Sequence, residues 1–508
     1  MNLSNVVAHH ADRRAGETAF GYRGEVVTYG ELKSRAERMA GVLAAAGVGR
    51  GDVFAVLLHN SLAFVDLMCA GAQLGAVVLP LNWRLAGAEL EYILDHAEAK
   101  VLVSEEELKP LVASMPRPPA ATRLSVDGAS GDGWSSIAEM WDGVEPVERP
   151  AEVAGDDLHR LMYTSGTTSR PKGAMITYDN LYWKCAGQVV ELGLTAADRG
   201  LACGPLYHVG ALDLVTTNVL YVGGMVEIVR KFDVVEVLAA IEAKALTVLW
   251  LAPAMVNLIV SDPRAAEFDL SSVRAVMDGG EKMPLPLIER VLATFPNAWF
   301  ADAYGLTETV SGDTFLDKGS TTAKLGSVGK PILHAEVRIV DAEDRPLGPE
   351  EVGEVCLRGP KVFKGYWRDP EASAKALRGG WFHTGDLGRL DEDGYLFIVD
   401  RLKDMIVTGG ENVSSLEVER VVYEHPGVLE AAVVAAPHPT WNEVPAAYVV
   451  LAPGAELGDE ELIAFCRERL AKYKVPKSIR FVPELPRNPS GKVLKRVLRE
   501  RELGRVSG

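Results

Sequence analysis

Cysteine is scarce and dispersed. The five, at positions 69, 185, 203, 356 and 466, form no C-x-x-C pair and no zinc-like spacing, which excludes a disulfide framework and fits a reducing compartment. Long hydrophobic runs are missing as well. Each apolar stretch is broken by Gly, Asn, Asp or His, well short of the ~20 residues that a membrane span needs. The stretch Met1 to Asn5 lacks the basic and apolar regions of a signal peptide, so a cytoplasmic location is expected. Positive charge is in deficit, with a net charge of −17, which argues against a nucleic-acid surface over the whole molecule. No internal repeat at solenoid periods is present, and no G-x-x-x-x-G-K-[ST] phosphate loop, because Gly173 and Ala174 follow Lys172.

What is present is a globular composition, 48% hydrophobic and 24% charged, over 508 residues. That length exceeds one ordinary core, so two or more domains are expected. Residues 19 to 28 read as a hairpin turning at Arg23-Gly24. Thr28 and Glu31 form a capping box for a helix carrying Leu32, Ala36, Met39 and Leu43, which Gly47 ends. A buried strand at 53 to 58, a helix at 62 to 74 and a strand at 76 to 80 begin a βαβ alternation typical of parallel sheets. Residues 105 to 155, with Pro-rich and Gly/Ser-rich patches, read as surface cover. The alternation resumes with strands near 225, 246, 273 and 298 and helices near 234–243, 253–261 and 284–294. From Gly326 short strands and turns predict a mostly β subdomain. Beyond Arg401 comes a small α+β unit of about a hundred residues, enough for its own core. The expected fold class is therefore α/β. An N-terminal domain, 1–400, holds two mostly parallel sheets and a small β subdomain, and a C-terminal domain, 401–508, follows. Charge is uneven between them: residues 467 to 508 hold thirteen Lys or Arg against four Glu, about +9, either a solvated face or a surface that meets a polyanion.

The chemistry centres on Tyr163-Thr-Ser-Gly-Thr-Thr-Ser-Arg-Pro-Lys-Gly173. Thr164, Ser165, Gly166, Thr167, Thr168 and Ser169 are all small or hydroxylated. Such residues bring backbone N–H groups close to an anion and add hydroxyl donors, and Lys172 adds a positive charge. A solvated Ser/Thr turn is the plainer alternative.

This loop resembles the phosphate loop of the adenylate-forming superfamily, T-S-G-T-T-G-x-P-K-G, which includes acyl-CoA synthetases, luciferases and peptide-synthetase adenylation domains. Ser169 stands where that pattern has Gly, making the loop stiffer there. Seven further motifs follow in the family's order, and the resemblance covers nearly the whole chain. Gly204-Pro-Leu-Tyr-His-Val-Gly210 is similar to its aromatic–His segment, which implies that His208 gates the carboxylate end of an acyl pocket; a His satisfied within the core is the alternative. Asp278-Gly-Gly-Glu281 implies that Gly279, Gly280 and Glu281 approach a flat ring at a strand end; an ordinary βα turn is the plainer alternative. Asp302-Ala-Tyr-Gly-Leu-Thr-Glu308 matches Y-G-x-T-E. It implies that Asp302, Ala303, Tyr304 and Gly305 flank adenine, that Thr307 meets the α-phosphate, and that Glu308, with Thr164, holds Mg²⁺. Thr384-Gly-Asp386 and Asp400-Arg-Leu-Lys-Asp404 imply ribose contacts from Asp386 and Arg401 and a hinge at Lys403, although surface ion pairs would look the same. Thr408-Gly-Gly-Glu-Asn-Val413 implies that Gly409 and Gly410 line a channel for CoA. Trp441 falls where some relatives stack the CoA adenine, and a packing role is equally open. Pro486-Arg-Asn-Pro-Ser-Gly-Lys492 is similar to the family's catalytic-lysine turn, with Lys495 assigned to the helix surface.

The resemblance implies an AMP-forming acid–CoA ligase, closest in texture to fatty-acyl and aryl ligases, using ATP, Mg²⁺ and CoA. The chain would join a carboxylic acid to AMP, release pyrophosphate, and pass the acyl group to CoA. The alternative acceptors are a free-standing carrier protein, an amine or a nitrite-derived nucleophile. No nucleic acid and no membrane span are expected, and a homodimer is allowed. Candidate pocket residues are Trp183, Lys184, Val209, Asp213, Val310 and Ser311. The mixture of a large aromatic with Lys and Asp favours a ring-bearing or polar acid, with Asp213 either facing the substrate or pairing with Lys184.

Overall fold

The computed structural model describes residues 2–164, 170–279, 283, 285–408, 411–487 and 492–506. Local signals in the sequence set its first elements. Arg23 and Gly24 both take positive φ, 51° and 85°, turning the strand Thr18–Tyr22 into Glu25–Thr28. The Thr28–Glu31 capping box is formed at the head of the helix Tyr29–Ala45. Ser61 caps the helix Leu62–Leu74, and Gly75, at φ 65°, ends it. These two helices pack on each other behind the wholly buried strand Val53–Leu57.

Seven strands make one sheet, in the spatial order Trp134–Ser136, Thr122–Ser125, Val101–Ser104, Val53–Leu57, Val77–Pro80, Leu158–Thr164 and Lys172–Thr177. All neighbours are parallel except the last pair, which is the antiparallel hairpin flanking the candidate phosphate loop. The expectation for residues 105 to 155 is corrected here. That region contributes two sheet strands with Leu124 and Trp134 buried; its Pro and Gly lie in the connections, which hid two short strands.

Nine strands make the second sheet. Its parallel centre runs Trp299–Tyr304, Ala275–Gly279, Val248–Trp250, Arg199–Ala202, Met225–Ile228 and Thr18–Tyr22. One apolar cluster joins the two sheets, with Phe54 and Val56 from the first and Met277 and Ala301 from the second. A four-stranded antiparallel sheet follows, from Glu336–Val340 to Leu396–Arg401. Residues 406 onward build a five-stranded sheet with separate apolar clusters on its two faces, one around Val433 and one around Val434 and Leu498. Period-2 alternation along the strand Val428–His438 sends these neighbours to opposite faces. No helix among the described residues is long and apolar enough to cross a membrane.

Polar chemistry also crosses between the sheets. Residues 210–217 form a wholly buried π-helix, a geometry that appears mostly where function needs a bulge. From it Asp213 accepts a 2.5 Å bond from Nη2 of Arg160 on the strand Leu158–Thr164, both side chains being 0% exposed. Removing one partner of such a pair leaves a bare buried charge and costs about 3–5 kcal/mol, whereas replacing both by apolar groups is far milder. Asp213→Ala should therefore lower the urea midpoint strongly. Arg160→Met with Asp213→Leu should recover most of that loss; a double variant as unstable as the sum of the singles would show that the pair is not the relevant unit.

Candidate active site

Parallel sheets bind ligands beyond the carboxyl ends of their strands, and the motif residues gather there. Tyr304 ends the strand Trp299–Tyr304 and is 9% exposed. Its hydroxyl donates to Asp386 Oδ2 at 2.7 Å. Arg401 lies opposite Asp386 in the neighbouring strand, with Nε 3.2 Å from Oδ1. Burial, with the Asp386 charge beside it, pushes the Tyr304 phenol well above its ordinary range, so it stays protonated and donates. A carboxylate has about four acceptor sites, so Asp386 keeps capacity for further hydroxyls. Asp302 and Ala303 lie on the same strand, where Ala303 pairs with Gly279.

Glu308 sits in a short 3₁₀ turn, Thr307–Thr309, 8% exposed. Burial pushes its carboxyl up. Tyr366, which the motifs did not mark, donates its hydroxyl to Glu308 Oε1 at 2.9 Å. Lys172 Nζ lies 5.1 Å from the centroid of the same Tyr366 ring and 3.7 Å from Asp369. Tyr366 thus stands between the lysine of the phosphate loop and the candidate metal ligand. The strand Lys172–Thr177 is fastened to this segment: Met175 N–H donates to Gly365, Lys364 N–H to Met175 and Trp367 N–H to Gly173, at 2.9, 3.0 and 2.7 Å. The only advance signal was the aromatic pair after Gly365, too common to read alone.

His208 is half-buried in the loop after Arg199–Ala202. Its ring lies 6.2 Å from that of Trp250 at 24°. Gly210 N–H donates to its Nδ1 at 3.2 Å, which puts the proton of the neutral ring on Nε2. A Cβ on Gly210 would stand 2.3 Å from the Trp250 ring, the steric reason for glycine at the end of this motif. Burial, and after it the charge of Lys492, depress the His208 pKa to about 4 against an opposing pull from Asp213. Lys492, from the C-terminal domain, is therefore close enough to act electrostatically on His208.

Other expectations fare differently. Ser165, Gly166, Thr167, Thr168, Gly280, Glu281, Gly409 and Gly410 lie outside the described residues. Thr164 pairs with Lys172 across the hairpin. Val209 packs with Tyr304 and Val310. Trp441 is 51% exposed at a hairpin tip, next to Asn442, which pairs with Thr408 at the edge of the glycine loop. The Lys403 carbonyl accepts from Arg499 Nη1 at 2.7 Å, and Arg499 also pairs with Asp404.

Trp183 stands half-buried, its ring edge-on to that of His334 with centroids 4.8 Å apart. Two expectations are corrected. Lys184 and Asp213 are 0% exposed and do not face a pocket: Lys184 Nζ bonds the Asp213 carbonyl, Thr217 and Asn218 at 2.8, 2.6 and 2.9 Å and lies 3.9 Å from the Asp213 carboxylate, the pairing given above as the alternative, while the main partner of that carboxylate is Arg160. Lys495 is no surface residue; it bonds Ser415 and Glu419, each at 2.7 Å, and Ser415 in turn bonds the buried carboxylate of Asp400. In each case a partner distant in sequence claims the polar head.

The site thus gathers a loop lysine, a tyrosine–aspartate–arginine set, a buried carboxylate and a histidine that feels a second lysine. The chain matches the AMP-binding enzyme family over residues 7–367 and the AMP-binding enzyme C-terminal domain over 417–492. It is 42% identical over 484 residues to the feruloyl-CoA synthase of an Amycolatopsis species, covering 95% of this chain and 96% of that one. Its structure is similar to the anthranilate CoA ligase AuaEII in complex with anthranoyl-AMP, with a TM-score of 0.93, 27% identity and coverage of 100% and 98%. It is also similar to the O-succinylbenzoate coenzyme A synthetase of Bacillus subtilis in complex with ATP and a magnesium ion, with a TM-score of 0.85, 32% identity and coverage of 97% and 98%. The chain belongs to the AMP-binding enzyme family.

The placement of Lys492 has a direct spectroscopic consequence. Lys492→Ala removes a cation that lowers the His208 pKa, so that pKa should rise above about 4. It should stay below the ordinary histidine value, because burial is the larger cause. An NMR titration of the His208 ring checks this; an unmoved pKa would mean that Lys492 does not rest near His208 in solution.

Proposed function

We infer that this chain is an ATP-dependent acid–CoA ligase whose preferred acid carries an aromatic ring. The observation that carries the reaction class is the bonding of Tyr304, Asp386 and Arg401 into one set, with the charge of Lys492 felt at His208. The ring preference is supported by the acids named for the three similar proteins, each of which contains a benzene ring.

The reaction needs little covalent help from the protein, so positioning and charge carry it. Tyr304 packs the adenine, Asp386 and Arg401 take the ribose, and the Thr164 loop with Lys172 takes the phosphates. Glu308, a hard-oxygen ligand set back from water, fits Mg²⁺, and with Thr164 it would hold the ion, which neutralises phosphate charge when bound. A carboxylate oxygen of the acid attacks the α-phosphorus, and pyrophosphate leaves. His208, neutral, offers its Nε2–H at the carboxylate end, and Lys492 stabilises the charge that builds on the α-phosphate. In the second step the CoA thiolate attacks the acyl carbon and AMP leaves with the bonding pair. We place the domain boundary at Asp400/Arg401, with residues 401–404 as the pivot that withdraws Lys492 and presents Gly409 and Gly410 to the pantetheine arm. Trp441, exposed beside that loop, offers a face for the CoA adenine.

Two measurements test this reading. In ATP–pyrophosphate exchange, hydroxycinnamic, benzoic and aminobenzoic acids should exceed long-chain fatty acids in kcat/KM by about tenfold or more; a fatty-acid preference would overturn the ring assignment. Lys492→Ala should lose about a hundredfold in exchange, yet still form thioester from preformed acyl-adenylate and CoA. Gly410→Leu should do the reverse, and equal loss of both half-reactions in either variant would refute the division of labour.

A further inference from the structure

Val310, Ser311 and Gly312 directly follow the turn that carries Glu308, and all three hold positive φ, 55°, 59° and 59°. For a β-branched residue that conformation is a true outlier, of the kind that persists only where the surroundings over-determine it. The surroundings here are specific. Gln188 Nε2 donates to the carbonyls of Ser311 and Gly312 at 2.7 and 3.1 Å. Lys361 Nζ donates to the same two carbonyls at 2.8 and 2.9 Å. The ammonium also lies 2.8 Å from Asp313 Oδ1, and the other oxygen of Asp313 accepts from the hydroxyl of Thr309, the residue after Glu308. On the opposite side a Cβ on Gly305 would fall 2.3 Å from the Gly312 nitrogen, so the turn has no room to relax that way.

Lys361 begins a segment that grips Glu308 at two more points. Phe363 N–H donates to the Glu308 carbonyl at 2.7 Å, and Tyr366 holds its carboxylate. Asn180 fastens the segment from behind, donating to Pro360 and Val362 at 2.9 and 2.8 Å. Lys361 is 1% exposed. A buried ammonium is a heavy penalty for a residue with only a packing role, since an apolar side chain would fill the same space.

We propose that Lys361 is a positioning residue for adenylation: its ammonium holds the left-handed turn 310–312 and, through Asp313 and Thr309, fixes Glu308 opposite Tyr366 and Lys172. This rests on the reading of Glu308 as the metal-holding carboxylate.

The test is ATP–pyrophosphate exchange measured against Mg²⁺ concentration, beside thioester formation from preformed acyl-adenylate and CoA. Lys361→Met should lower exchange about ten- to a hundredfold, the scale of a site displaced by a fraction of an ångström. Its half-maximal Mg²⁺ concentration should rise, while thioester formation per folded enzyme stays within about twofold. Adding Ser311→Gly should restore part of the exchange relative to Ser311→Gly alone, because glycine takes positive φ without a steric penalty. Gln188→Met, which leaves Lys361 in place, should show a smaller loss of the same kind and decides the matter if Lys361→Met does not fold. Glu308→Gln separates the two readings. If it spares exchange, the metal role of Glu308 falls and the proposal with it. If it abolishes exchange while Lys361→Met and Gln188→Met do not alter it, the proposal alone is overturned. A parallel fall of both half-reactions, or a lower Tm with normal exchange, would make Lys361 merely structural.

Discussion

Arg160 and Asp213 are wholly out of water, and Lys361 and Asp313 nearly so. A charge so placed persists only beside its counter-charge, and each pair spans elements that apolar packing alone would leave free to slide. The first ties the strand entering the phosphate loop to the π-helix that follows His208. The second ties the β subdomain to the turn behind Glu308. Between them runs a continuous polar seam: Lys184 on Thr217 and Asn218, Asn218 on Gln188, Gln188 on the carbonyls that Lys361 also holds. The helix after His208 and the turn behind Glu308 are therefore registered to each other by directional bonds.

Those bonds explain what could and could not be read in advance. Local devices were legible: the Arg23-Gly24 turn, the Thr28–Glu31 box and Gly47 act within a few residues, and the sequence carries both halves of each. The ordered motifs were legible too, and Tyr304, Asp386 and Arg401 come together as they imply. Tyr366 and Lys361 were not, because their partners lie 58 and about 50 residues away and neither has a distinctive neighbour. The same distance misplaced Lys184, Asp213 and Lys495, whose charges looked available until folding supplied their partners. Residues 105 to 155 failed for another reason: three- and four-residue strands between glycine-rich turns carry too little periodicity to register.

Neutral His208 and charged Lys492 make a complementary pair of conditions. Burial disfavours the imidazolium, and a cation nearby disfavours it further. The histidine is thereby kept from carrying a charge of its own, and the positive potential beside it comes from Lys492 instead.

The strand Lys172–Thr177 is the outermost of its sheet. An unpaired edge of this kind invites pairing with another chain. Here residues 364–367 bond along it, with Ala174 bridging Tyr366 in antiparallel sense. The strap that aims Tyr366 at Glu308 is thus also the cover of a sticky seam. Chains interrupted before the strap would emerge with that seam bare, and self-association would overtake them before any question of activity arose. Activity and colloidal behaviour are coupled through four residues of backbone, so changes that loosen this strap will surface first as loss of protein in solution.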